Sequence, residues 1–224
     1  NLAVRNKSVN LTRIFRIPRP EAPKPDYGLH VFTINRVNIH NMSFRMKNVS
    51  DSLPPYSGTG IDWSDLEVNS INLNARHLSL TGKVMSGILD FMSFEEKSGY
   101  VCNAVSGFAR VGNGKAEIRR LRLSDPWSEL DIPEYTMTYS WGRDFEDFIN
   151  KVSMYAEISP STVDMKSLSY FAPGLSGVPL KTVLSGTVSG PVADLNFMNM
   201  DIRTETGACL GLDGRITGLP DIAG

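Results

Sequence analysis

The chain has 224 residues, 41% of them hydrophobic and 21% charged, which is enough apolar material for a buried core and excludes wholesale disorder. Lys and Arg number 23 against 24 Asp and Glu, and a net charge of −1 gives no attraction to nucleic acid or another polyanion. Two cysteines, Cys102 and Cys209, are too few for a disulfide framework or a zinc centre.

The chain opens mid-pattern on "NLAVRNKSVNLTRIF" and continues into "PRPEAPKPDYG". Arg13, Arg16 and Arg19, interleaved with Pro18 and Pro20, read as a solvated extended connector, so residues 1–27 are expected to be a connector with edge strands. Residues 28–141 follow as a β-rich module with a period of two. "HVFTINRVNIHNMSFRM" places Phe32, Ile34, His40, Met42, Phe44 and Met46 on one face, and Val31, Val37 and Ile39 on the other. "LNARHLSLTGKV" alternates Leu78, Leu80, Gly82 and Val84, and "GYVCNAVSGFARV", "EIRRLRLSD" and "EYTMTYSW" alternate in the same way. Loops are expected at "DSLPPYSGTG", "MSGIL", "SDPWSELDIP" and "GLSGVPL".

Within this module "ARVGNGKA" comes close to a phosphate-binding loop, with Ala109, Gly114 and Lys115 in place, but Ala116 stands where a hydroxyl is needed. Such a loop must open a helix, whose free N–H groups hold the anion. A period-two run follows Lys115 instead, so Asn113 and Gly114 are expected to form a two-residue hairpin turn.

Residues 142–224 form a β module with two short helices. "RDFEDFINKV" puts Phe145, Phe148, Ile149 and Val152 on one helical stripe, with Asp144, Glu146 and Asp147 in the first turns. "SPSTVDMKSLSYFAPG" predicts a second helix over about 161–171, capped by its Ser-Pro-Ser start and stopped by Pro173 and Gly174. "NFMNMDIRT" alternates Met198, Met200 and Ile202.

Little in the chain points to catalysis. Nucleophile-elbow, zinc-protease, EF-hand and Cys-x-x-Cys patterns are absent, and His30, His40 and His77 lack ligand spacing. Asp62, Asp65 and Glu67 in "DWSDLE" read as solvated acids rather than a catalytic pair. The chain is therefore read as a non-enzyme with no cofactor and no metal.

What remains is repetition: "SLTGKVMSGILDF", "SGTVSGPVADLNF" and "GLDGRITGLPD" each join strands through a Gly-marked reversal. "VLSGTVSGPVADLNFMNMDIRTETGACLGLDGRITGLPD" resembles the AsmA/TamB-like proteins of Gram-negative envelopes, and "VSMYAEISPSTVDMKSLSYFAPGL" and "INRVNIHNMSFRM" are similar to further elements of that group, in a form most like the large TamB-like proteins of Bacteroidetes. The fit is best over 152–224.

The resemblance implies a mainly β fold, an antiparallel, repeat-like curved sheet forming a gutter or open sandwich. It implies a fragment of a longer periplasmic protein, anchored to the envelope elsewhere in its chain. The implied partners are phospholipid acyl chains, outer-membrane assembly proteins and the rest of its own chain, with no nucleic acid. Candidate lining residues on the alternating faces are Leu78, Leu80, Val84, Leu121, Leu123, Met198, Met200 and Ile202. The competing class is an extracytoplasmic β-sandwich that binds glycan or protein through loop aromatics such as Trp63, Trp127 and Trp141.

Overall fold

The computed structural model describes residues 2–5, 8–9, 31–48, 58–62, 64–140, 144 and 147–218. In chain order the strands are β1 (Leu2–Arg5), β2 (Ser8–Val9), β3 (Val31–Asn48), β4 (Asp65–Thr81), β5 (Val84–Glu96), β6 (Val101–Gly112), β7 (Lys115–Ser124) and β8 (Glu129–Thr138). A short helix α1 (Phe148–Lys151) leads to β9 (Ser153–Asp164), and α2 (Met165–Ser169) with a 3-10 turn (Pro173–Leu175) leads to β10 (Lys181–Gly190), β11 (Asp194–Thr204) and β12 (Cys209–Thr217).

From β3 to β12 each strand pairs with the next in sequence, always antiparallel, giving a ten-strand meander. The short β1 joins the edge at β3 in parallel, with β2 beyond it. The sheet is open, and the fold is mainly β with two short helices. At about 4.8 Å per strand the ten strands span roughly 45 Å.

Hairpins set the pairing. Asn113 (φ 53°) and Gly114 (φ 74°) both lie in the left-handed region, as a two-residue type I′ turn requires, and Gly112 pairs with Lys115 across it. Lys115 is held by Glu117 at 2.6 Å, so the near-motif is a turn.

A second feature interrupts strict alternation. In several strands two apolar residues on one face are separated by three positions: Ile34 and Val37, Ala75 and Leu78, Ile118 and Leu121, Ile132 and Tyr135, Phe197 and Met200. The extra residue is a β-bulge, and at His77, Arg120 and Asn199 it has a positive φ. These three bulges fall on one line. They adjoin the paired row Arg76, Ile88, Phe108, Arg119, Glu134, Glu157, Thr187, Met198, which crosses the sheet from β4 to β11.

Side chains capture the N–H groups that some bulges release. The Asn199 N–H donates to Asp213 Oδ1 at 2.6 Å, and the Asn41 N–H (φ 52°) donates to Asn72 Oδ1 at 3.2 Å. Pro133 and Pro160 sit inside strands where β8 and β9 make no ladder pairs, between Glu134 with Glu157 and Glu129 with Thr162, so their missing N–H groups cost no ladder bond.

The strands as they stand correct three expectations. Val37 and Ile39 share a face with Ile34 rather than opposing it, because the chain steps by three between Ile34 and Val37. "MSGIL" is not a loop but the body of β5, where Gly87 makes room for the Leu78 side chain. "ELDIP" is likewise strand, in β8.

Both helices are shorter than their sequence patterns. Ser161 is held in β9, donating to the Ser159 carbonyl and accepting the Asp131 N–H at 2.9 Å, so α2 starts at Met165 with Asp164 as its cap. In α1, Val152 is fully buried at the C-cap, whereas Ile149 is 37% exposed and Phe145 lies outside the described residues.

The cysteines are unpaired. Cys102 on β6 and Cys209 on β12 lie six strands apart, roughly 30 Å, far beyond the Cα separation of about 7 Å that a disulfide tolerates. Burial pushes the Cys102 thiol up to about 11, with the nearby Asp125 charge adding to it, while Cys209 is exposed. A thiol reagent at about pH 8 should therefore modify one cysteine quickly, Cys209, and leave Cys102 protected until the protein unfolds. Two fast thiols in the native protein would refute the burial of Cys102.

Candidate functional site

Paired residues in a sheet share a face, so register alone assigns each side chain. On one face Phe32, Leu80, Met85, Val111, Ala116, Met137 and Met154 follow one another directly across β3 to β9. Two positions along, Ala109, Ile118, Tyr135, Ala156, Val188 and Phe197 make a parallel row from β6 to β11. Beyond the line of bulges, Ile39, Leu73, Met92, Val105, Leu123 and Leu130 make another, and Leu184, Ile202 and Leu210 extend it across β10 to β12. The bulges keep these rows in phase, because each re-aims the strand at the level where alternation alone would turn the apolar side chains away.

The other face is mostly polar, with Ile88 and Phe108 set among its charged side chains. The row between the first two reads Thr33, Ser79, Ser86, Arg110, Glu117, Thr136, Tyr155, Ser189, Asn196 and Arg215. Ion pairs decorate this face, including Arg76 with Asp90 at 2.9 Å and Arg122 with Asp131 at 3.5 Å.

Most of the apolar face has no second layer. Large apolar side chains on this face stay exposed, including Phe32 at 61%, Met85 at 58% and Leu210 at 55%. The rest of the face is half-buried against its own neighbours, as along Val37, Leu73, Leu78, Leu89 and Ala109. Burial raises the Tyr135 hydroxyl above its ordinary value, as expected for a group set in apolar surroundings.

One end of the face is covered. Tyr100, 3% exposed, packs edge-on against Tyr170 at 5.5 Å and Phe171 at 5.1 Å, and the Ile61 N–H donates to the Tyr170 carbonyl at 2.8 Å. The segment after β9 thus closes over Phe94, Tyr100 and Cys102 at the strand ends near α2.

Six of the eight candidate lining residues lie on the apolar face: Leu78, Leu80, Leu121, Leu123, Met200 and Ile202. Val84 and Met198 project from the polar face. Alternation does not run through a hairpin: Thr81 pairs with Val84 across the Gly82-Lys83 turn, so Met85, not Val84, continues the row of Leu80. Asn199 is the bulge that separates Met198 from Met200, leaving Met198 45% exposed and Met200 6% exposed. Counting outward from each two-residue turn would have found Met85 and Val111 in the sequence. The bulges at His77 and Arg120 carry no such signal.

The acids of "DWSDLE" are tied into ion pairs. Asp65 meets Arg45 at 3.2 Å and Lys97 at 3.0 Å, and these cations hold its carboxyl down to about 2. Asp62 accepts from the Ser64 N–H and hydroxyl, which lowers its pKa as well. Among the described residues no group of three His, Cys, Asp or Glu side chains could hold a metal ion. Trp127 is not an open platform, since Tyr170 stacks on it at 6.1 Å and Lys166 Nζ sits 4.3 Å from its ring centre; Trp63 and Trp141 lie outside the described residues.

No family model, curated protein or solved structure matches this chain.

Proposed function

We propose that the chain is a segment of a periplasmic AsmA/TamB-like protein, and that its apolar sheet face carries phospholipid acyl chains as part of outer-membrane biogenesis. The observation that supports this reading is the set of apolar rows that cross the strands on a face with almost no cover. The rows run perpendicular to the strands, so an acyl chain lying along them passes from strand to strand over like surface. Each methylene removed from water there gains about 0.8 kcal/mol, which needs no catalytic group and no cofactor. Met85, Met92, Met137, Met154 and Met200 give the face side chains that adapt to chains of different shape. In this role the remainder of a longer chain would continue the track, and outer-membrane assembly proteins would receive what it carries.

The test is a photo-crosslinking amino acid placed at Leu80, Leu121 or Met200 in the full-length protein in cells. Phospholipid crosslinks are expected at these positions and not at Ser79, Arg122 or Met198 on the polar face. Equal labelling of both faces, or labelling of neither, would remove lipid carriage and favour a binding module.

A further inference from the structure

Between Lys166 and Lys181 the chain runs through residues 167–180, "SLSYFAPGLSGVPL", without a single charge. The base of this excursion is closed: the Met165 N–H donates to the Leu180 carbonyl at 2.9 Å, and Asp164 pairs with Lys181 where β9 meets β10. Its inner side is spent on the cover, through buried Ser167 and the stacking of Tyr170 on Trp127. Apolar side chains of the loop also reach solvent, with Leu168 at 36%, Val178 at 41% and Leu180 at 38% exposed, and Phe171 is 47% exposed although one side of its ring packs on Tyr100. Four large apolar side chains within one uncharged loop are more than scattered surface residues, and they need an occupant.

Charge decides which occupant fits. The chain as a whole is slightly acidic, yet both side chains that flank this loop are cationic. Asp164, the acid at its neck, caps α2 by accepting the Lys166 N–H at 2.8 Å and faces Lys181 across the ladder, so two lysines against one carboxylate leave the neck with one net positive charge. An apolar tip with lysines at its neck has the layout of a segment lying in a bilayer interface. The tip enters the acyl boundary while the ammonium groups reach the headgroups, and anionic lipid adds attraction at each lysine. We propose that residues 167–180 form a membrane-contact loop that seats its apolar tip in an anionic bilayer surface, with Lys181 at headgroup level and Lys166 beside it from its place over the Trp127 ring. This contact is separate from the apolar sheet face and does not depend on acyl chains being carried there.

The test uses the purified chain and vesicles of phosphatidylcholine, with or without roughly one-third phosphatidylglycerol. Binding is expected to be about tenfold tighter with the anionic lipid and to weaken with added salt. The double substitution Val178→Ser and Leu180→Ser, which disturbs no aromatic contact, should lower vesicle binding by about tenfold or more. Met198→Ser on the polar sheet face should leave it unchanged. A tryptophan introduced as Phe171→Trp should be quenched by brominated acyl chains. Absence of binding by the unaltered chain, equal binding by the folded variants, or no quenching would overturn the proposal. So would a concentration-dependent dimer abolished by the same substitutions, which would make a second copy the occupant. Crosslinking at Leu80, Leu121 and Met200 reports on the sheet face independently, so either reading can fail alone.

Discussion

Gly186→Val is expected to lower the free energy of unfolding by roughly 3 kcal/mol or more. Gly186 has a φ of +139°, a conformation that L side chains rarely adopt, and it lies opposite the bulge at Asn199. A Cβ there would stand 2.5 Å from Met200 Sδ, 2.9 Å from the Asn199 carbonyl oxygen and 2.9 Å from Met200 Cα. The thioether can swing aside, but two of the three obstacles are backbone held in the β11 ladder. Strain at φ and forced displacement of β11 act together, and each costs about 1–3 kcal/mol. Urea unfolding should show a lower midpoint with an unchanged slope. Ser189→Val, three positions along on the polar face, should stay within about 0.5 kcal/mol of the parent. A Gly186→Val protein as stable as the parent would mean that the bulge relaxes freely, and that Met200 is not pinned in its row.

This glycine also shows how far the sequence could be read. The strands, their antiparallel succession and the Asn113-Gly114 turn were legible, because period two and left-handed turn residues are local signals. The continuous apolar face was legible in part. Leu78, Leu80, Leu121, Leu123, Met200 and Ile202 came out on it, but Val84 and Met198 did not. Val84 was misplaced because alternation was carried through a turn, which resets it. Met198 was misplaced because a bulge at an asparagine looks like any other strand position. Arg120 and His77 adopt the same conformation with no glycine to announce it. What stabilises them is the neighbouring strand, and that partner is knowable only once the register is fixed. The reach of β9 through Ser161 was hidden for a similar reason. Ser-Pro-Ser is a good helix start in isolation, and only the bond from the Asp131 N–H and the pairing of Ser161 with Leu184, on two other strands, keep it extended.

The cover over the end of the apolar face rests on one carboxylate, and its removal is the second large effect expected. Asp125 Oδ1 accepts from the Trp127 N–H at 2.8 Å, the Ser128 N–H at 2.7 Å and the Ser167 hydroxyl at 2.8 Å. The Ser128 hydroxyl then donates to Ser167 Oγ at 2.7 Å and accepts the Asp164 N–H at 2.9 Å. Asp125, Ser128 and Ser167 are all buried, and Ser167 is the buried residue of α2, so this network fastens the helix to the turn between β7 and β8. Asp125→Ala leaves three donors without an acceptor where water has little access. Each unsatisfied buried donor costs about 1–3 kcal/mol, so a loss of roughly 3–5 kcal/mol is expected even with partial relaxation. Asp125→Asn keeps an amide oxygen in place of Oδ1 and should lose much less, about 1 kcal/mol. The local consequence separates this clamp from general destabilisation. Freed of Ser167, the segment carrying Tyr170 and Phe171 should lift from Tyr100 and expose Cys102 beneath it. In Asp125→Ala the Cys102 thiol should be modified many times faster under native conditions, while Cys209, far off on β12, keeps its rate. If Cys102 stays protected and the melting temperature does not move, the cover is held by its aromatic contacts alone and the carboxylate is not its fastening.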